Sequence, residues 1–203
     1  MPAASLSRTD RLVALRRQII LDAAQRVFAR DGLDRTTIRA IAKEAGCTTG
    51  AIYPWFDGKE AIYAAVLRES LDRLDRHLQI QAQAGPRAKA PRRVIQAFFD
   101  YYAEHGTEFS LGMYLFQGLG PRGLGRDADG ELNRRLRACV DRLGDGLKAA
   151  GWPPDDVPCE QMNVFTYLMG LLLLFHTHRL KSLDQQAQPL LDRYCDALEQ
   201  RRT

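Results

Sequence analysis

In the stretch TTIRAIAKEAGCTTGAIYPWFDGK, residues 36 to 59, the chain starts a helix, stops it, starts another and stops again. Thr36 or Thr37 can accept a bond from an orphan backbone N–H at a helix start, and Ile38, Ile41, Ala42 and Ala45 then follow at i, i+3, i+4 and i+7. Gly46 ends that helix after about two and a half turns. Thr48 caps a very short third helix with Ile52, Trp55 and Phe56 as its inward face, and Gly58 and Lys59 open a long fourth one. A segment this short is rigid only when other segments support it, so the pattern calls for a small helical unit.

The flanking sequence supplies that support. From Leu12 to Arg30 two apolar rows, Ile19, Ala23, Val27 and Ile20, Ala24, Phe28, make one wide buried face, and Gly32 closes the helix as a left-handed cap. The fourth helix carries Leu67, Leu71, Leu74 and Leu78, and 82-AQAGPRAKAP-91 breaks it by composition and by two prolines. Helical stretches of about 92 to 105, 107 to 118, 129 to 150, 158 to 180 and 186 to 200 follow, with no strand alternation and no internal repeat. The expected class is all-α, with about nine helices: an arm over residues 1 to 10, a three-helix unit over 11 to 57, and a larger helical bundle over 58 to 203.

The 203 residues, 45% hydrophobic, suffice for a small domain joined to a medium one. A formal charge of +4 says little about partners, but residues 1 to 60 hold ten Lys or Arg against seven Asp or Glu, which puts the positive excess at the front. Cys47, Cys139, Cys159 and Cys195 form no CxxC and follow no apolar leader, so they read as reduced thiols of a cytoplasmic protein. The run 164-VFTYLMGLLLLF-175 falls well short of the roughly 20 residues a bilayer requires and reads as a buried helix, with no membrane partner.

A short amphipathic helix, a tight turn at Gly46 and a shorter helix offering its first turn to solvent make a helix-turn-helix, whose second helix meets base edges in a major groove. Thr49, Gly50 and Ala51 let the backbone come close to DNA, Thr49 offers a hydrogen bond and the Ala51 methyl suits a thymine methyl. Thr48 and the exposed N–H groups of the helix start favour a phosphate. Tyr53 and Lys59 flank this turn, and a lysine at a helix N-terminus is poorly placed unless an anion is near.

Residues 16 to 63 resemble the DNA-binding domain of the TetR family of bacterial transcriptional regulators. The likeness is carried by ILDAAxxVFAxxG, TTIRAIAKEAG, TGAIYxxF and GKEAIY. It implies that Arg39 reads a base, that Thr37 and Thr48 bind phosphate at helix starts, that Thr49, Gly50 and Ala51 face the groove, that Tyr53 and Lys59 contact phosphate, and that Trp55 both packs and contacts DNA. Pro54 departs from the family pattern and, lacking an N–H, should tighten or end the helix.

The resemblance also implies an effector-binding and dimerisation domain behind the DNA-reading head. Tyr102, Met113, Tyr114, Met162, Phe165 and Met169 suit an irregular apolar pocket or plain core, with His105 and Glu108 as its polarity. Leucine-rich last helices, which in the family pair with those of a partner subunit, nominate Leu171, Leu174, Leu190, Leu191, Tyr194 and Leu198 for a homodimer interface. The expectation is a ligand-responsive regulator, a repressor released from a palindromic operator by a small, largely apolar effector, with no cofactor and no catalysis. An enzyme with a relic head and a helical protein-interaction module are the rivals, though neither HExxH, a P-loop nor a nucleophile–base pair appears. The pattern 118-GLGPRG-123 matches GxGxxG but sits among helices with no βαβ unit. His176 and His178, two apart, cannot chelate one metal from a helix face, and no metal is expected.

Overall fold

Ser7 accepts from the Asp10 amide at 3.1 Å while the Ser7 amide donates to the Asp10 carboxylate at 3.2 Å, and this reciprocal box starts the first helix earlier than the expected arm allows. In the computed structural model, which describes residues 7 to 114 and 123 to 201 apart from the Tyr114 side chain, that helix is α1, Arg8–Arg35. The rest are α2 (Ile38–Glu44), a 3-10 helix (Thr49–Ala51), α3 (Lys59–Gln83), a second 3-10 turn (Arg87–Lys89), α4 (Ala90–Glu104), α5 (Gly106–Tyr114), α6 (Arg126–Ala149), α7 (Val157–His176), α8 (Arg179–Ser182) and α9 (Ala187–Arg201). No strand occurs among the described residues. The 118-GLGPRG-123 pattern lies, but for Gly123, outside them.

The chain forms two units, one of Met1–Glu69 with Ser110–Leu132, the other of Ser70–Phe109 with Asn133–Thr203. α3 begins at Lys59, just after the division expected between residues 57 and 58, and its residues up to Glu69 belong to the first unit.

In the first unit, α1 buries Ile20, Leu21, Ala23, Ala24, Val27 and Phe28, while Ile19, expected in the same face, is exposed. Gly32 adopts φ 73° and ψ 166°, a region open essentially to glycine alone, and turns the chain before α1 closes. Thr36 is then buried with its hydroxyl donating to the Gly32 carbonyl at 2.6 Å, so Thr37 is the residue that caps α2, accepting from the Ala40 amide at 3.1 Å. α2 ends in a Schellman motif: Cys47 N–H reaches the Ala42 carbonyl at 2.9 Å, Gly46 N–H reaches that of Lys43 at 3.2 Å, and Gly46 takes φ 66°. Tyr63 packs edge-on against Phe28 at 4.9 Å and donates to the Leu111 carbonyl.

In the second unit α4 is the hub, burying Val94, Ile95, Phe98, Phe99, Tyr101 and Tyr102. Phe98 meets Phe165 and Phe99 meets Phe175, both on α7, in edge-to-face pairs. The corner into α5 needs a glycine: a Cβ on Gly106 would lie 2.8 Å from the His176 ring, whose Nε2–H donates to the Tyr102 carbonyl at 2.9 Å. The stretch 158 to 180 is two helices, because His178 takes φ 57° and ends the α7 path, so His176 and His178 do not share a helix.

α7 also corrects a second expectation. By length and composition alone it could cross a bilayer, and it is not wholly buried: one face packs on α4 while Met162, Leu173, Leu174 and Phe175 are exposed. Its Glu160 pairs with Arg201 of α9 at 2.6 Å. Leu171, Leu191 and Leu198, nominated for a subunit interface, are core within the single chain at 5%, 0% and 1% exposure. Leu190 and Tyr194 are half-buried, with Tyr194 stacked on Tyr167 at 3.9 Å and the Leu190 carbonyl accepting from Tyr167. A leucine-rich sequence does not reveal which of several apolar stripes the core will take.

One buried carboxylate organises the α3–α4–α5 corner. Glu108 accepts from the Ser70 hydroxyl at 2.6 Å, the Arg73 guanidinium at 2.7 Å and the Tyr101 hydroxyl at 2.9 Å. Burial alone would raise its pKa, but the bonds from Ser70 and Arg73, the charge of Arg73 and the Tyr101 bond outweigh that and hold it below its ordinary value. Burial, then the Glu108 charge, pushes the Tyr101 hydroxyl up to about 12. A carboxyl with a depressed folded-state pKa contributes stability above its unfolded pKa and loses it as pH falls through the folded value. Glu108→Gln is therefore expected to lose about 2 kcal/mol at neutral pH, and in urea melts the gap to wild type should narrow as pH falls below the ordinary carboxylate value toward the depressed folded-state one.

Candidate nucleic-acid interface

The reading turn is tighter than an α-helix. Ala51 N–H bonds to the Thr48 carbonyl and Ile52 N–H to that of Thr49, both at 3.0 Å, and Trp55 N–H to that of Ile52 at 2.9 Å, all i to i+3. Pro54 has no N–H to continue the ladder, which agrees with the expectation that it tightens the segment. Ile52 and Phe56 anchor the turn at 0% and 6% exposure. Opposite them Thr48, Thr49, Gly50 and Ala51 are all exposed. Thr48 takes the cap position, but its side chain makes no cap bond, leaving the hydroxyl available.

Tyr53 stands 57% exposed, Trp55 is half-buried, and Thr37 and Arg39 are exposed on α2. Arg39 makes no ion pair among the described residues, unlike Arg17, which pairs with Glu69 at 2.9 Å, and Arg26, which pairs with Glu44 at 2.8 Å. Gly50 is informative by what it does not require. Its φ is not positive, and an added Cβ would meet only the Thr48 hydroxyl, at an ordinary 3.8 Å. The isolated chain has room for alanine there.

Lys59 has partners inside the chain. Its ammonium donates to the carbonyls of Leu33 at 2.8 Å and Asp34 at 3.0 Å. These carbonyls provide the negative partner that sequence reasoning assigned to a phosphate, so the misfit of a lysine at a helix start is resolved within the chain. One ammonium N–H remains for an outside acceptor. No sequence signal pairs Lys59 with residues so far upstream.

The residues nominated for an effector pocket differ in their surroundings. Tyr102 is core, packed with Phe98, Tyr101 and Phe109; Met162 faces solvent; Met113, Phe165 and Met169 are half-buried; the Tyr114 side chain lies outside the described residues. Glu108 serves the buried corner above, and His105 alone of the set lines a described groove.

The family model described as bacterial regulatory proteins, tetR family, matches residues 20 to 66, which run from the buried face of α1 through the turn into α3. The uncharacterized HTH-type transcriptional regulator TtgW of Pseudomonas putida is 32% identical over 127 residues, 63% of this chain and 87% of that protein. The chain belongs to the TetR family. Another relative, the HTH-type transcriptional regulator SrpR of Pseudomonas putida, is 29% identical over 85% of this chain and 78% of its own length. The HTH-type transcriptional repressor Rv1474c of Mycobacterium tuberculosis is 43% identical, but over only 32% of this chain and 34% of the repressor. Among solved structures, a Rhodococcus sp. RHA1 protein of unknown function superposes with TM-score 0.72 at 18% identity, covering 98% of this chain and 97% of that one. The regulator FadR from Bacillus subtilis, in complex with stearoyl-CoA, gives 0.68 at 18% identity over 87% and 94%. These last two likenesses are of fold alone.

Because Lys59 ties down the end of α1 in this TetR-family head, Lys59→Met is expected to cost about 1–2 kcal/mol in urea denaturation even without DNA. Unchanged stability would return Lys59 to a purely external role.

Proposed function

We propose that the chain is a homodimeric, ligand-responsive transcriptional repressor of the cytoplasm, binding a palindromic double-stranded operator through Thr37, Arg39, Thr48, Thr49, Gly50, Ala51, Tyr53, Trp55 and Lys59. The observation that carries this reading is the exposed Thr49–Ala51 turn, anchored from behind by Ile52 and Phe56, with a glycine at its outer face that the fold itself does not demand. A residue without a side chain at such a point suits a surface that another molecule's backbone approaches closely. Thr49, Ala51 and Arg39 supply hydrogen-bond and methyl contacts to base edges, and Thr37, Thr48, Tyr53 and the remaining Lys59 N–H supply phosphate contacts.

The homodimer rests on α7. With Leu171, Leu191 and Leu198 spent on the core, the surface left for a second copy is the exposed stripe of Met162, Thr166, Gly170, Leu173 and Leu174. Two heads related by a twofold axis then meet half-sites about 34 to 36 Å apart, one helical turn of DNA. Release follows if an effector binds more tightly to a conformation in which that spacing is wrong. The stearoyl-CoA in FadR is a property of that protein, and the effector of this one is set by its own lining residues.

Two outcomes test the reading. Gly50→Val is expected to melt like wild type yet lose about tenfold or more in affinity for a selected operator, while Arg39→Ala blurs sequence preference, read by fluorescence anisotropy on matched and mismatched duplexes. Wild-type affinity in Gly50→Val would contradict the close approach. Leu173→Asp together with Met162→Asp is expected to convert a dimer into a folded monomer by analytical ultracentrifugation and to abolish cooperative occupation of the two half-sites.

A further inference from the structure

We infer that a groove in the second unit, between α3 and α4, binds a planar aromatic monocarboxylate bearing a hydroxyl at its far end. The groove is open to solvent along its length and has a volume of about 620 Å³, inside the range of roughly 300–1,000 Å³ typical of small-molecule pockets. His77 and Gln81 line it from α3, and a stripe of α4 from Arg93 to Glu104 forms the other wall, followed by His105. Arg93, Ala97, Tyr101 and Glu104 recur at three- and four-residue spacing and so share one helix face. From the first to the last the helix rises about 16 Å, so the groove has two distinct ends.

Arg93 marks the anionic end. Its Nε donates to the Gln81 carbonyl at 3.3 Å and its Nη1 to the Pro86 carbonyl at 2.7 Å, which fixes the guanidinium at the C-terminal end of α3. Its Nη2 is buried with no acceptor among the described residues. Among the described residues no carboxylate pairs with Arg93, whereas its neighbour Arg92 bonds Asp196 and Glu199 and lies 3.6 Å from Asp192. A buried, charged donor left unanswered is destabilising, and a carboxylate is the acceptor whose geometry matches the guanidinium fork.

The other end is aromatic. The Tyr101 ring stacks on His105 with centroids 4.5 Å apart and tilts toward His77 at 5.6 Å, while Ala97 leaves space beside them. A flat ring lies against these edges with little exposed apolar surface. His105 Nδ1–H donates to the Tyr101 carbonyl at 2.7 Å, which leaves Nε2 as an acceptor. Asp100 and Glu104 rim the same end. Acceptors and carboxylates there repel a second anionic group and receive a hydroxyl donor, so the ligand carries its one charge at the Arg93 end. Sequence reasoning passed over this groove because its residues come from two helices separated by a turn.

Binding to the groove is independent of the regulatory reading; release of DNA by the same ligand rests on it. The full chain is titrated by isothermal calorimetry with 4-hydroxycinnamate and with its methyl ester. The acid is expected to bind with Kd below about 1 mM and the ester at least about tenfold more weakly. Arg93→Gln is expected to abolish the preference for the acid, and His77→Ala, which leaves the Arg93 anchor intact, to weaken both probes about fivefold with an unchanged melting temperature. Equal binding of acid and ester, binding of neither at about 5 mM, or wild-type binding in both variants overturns the site. In a parallel arm, wild type on a selected operator is followed by anisotropy with and without the acid. Acid bound in the groove with the operator complex unmoved removes only the regulatory role, whereas no operator binding at all overturns the function proposed above and leaves the calorimetric result standing.

Discussion

A three-residue 3-10 helix has poor hydrogen-bond geometry and no cooperative length, so the reading turn keeps its shape through what lies behind it. Ile52 and Phe56, almost wholly buried, supply that backing, each contributing on the order of 2 kcal/mol of apolar transfer. The surrounding devices exist to present those two anchors at the right angle. The Schellman turn at Gly46 aims the chain, Thr37 fixes where α2 begins, and Lys59 fastens the end of α1 to the start of α3. Remove the backing and the exposed threonines have no defined direction.

Polar groups are used differently in the two units. In the head, exposed ion pairs such as Arg26–Glu44 add little, and specificity of packing comes from bonds to backbone carbonyls. In the second unit a charge is taken inside, at Glu108, and is tolerated because three donors surround it. Tyr101 takes part in that corner through its hydroxyl and lines the α3–α4 groove through its ring. One side chain thus belongs to both a structural bond network and a candidate ligand site.

Local signals carried much of the fold. Gly46 acts within a few residues of itself, so its role could be read from the string, as could the helical period of α3 and α4, whereas the choice between Thr36 and Thr37 as the α2 cap stayed open until the burial of Thr36 decided it. What escaped was anything set by distant partners. The bonds of the Lys59 ammonium to the carbonyls of residues 33 and 34 escaped because those residues lie far upstream. The interface leucines were misassigned at Leu171, Leu191 and Leu198 because α7 and α9 are apolar on more than one face, and the period alone does not say which face meets the core. The pocket residues were chosen by side-chain type, and type does not tell a lining residue from one that fills the core. At the reading turn the expectation of exposure at Thr49, Gly50 and Ala51 agrees with the structure, since small residues flanked by anchors at 52 and 56 leave little else for that face to do.

The corner at Gly106 has a consequence for how this sequence can drift. The space that a methyl group would need is filled by the imidazole of His176, seventy positions away, which is itself held by the Tyr102 carbonyl. Neither site can change freely alone: a larger residue at 106 must wait for a smaller one at 176, and a smaller one at 176 opens a void that 106 is well placed to fill. The two positions are bound to a shared history, and a lineage that escapes the glycine will have surrendered the histidine with it.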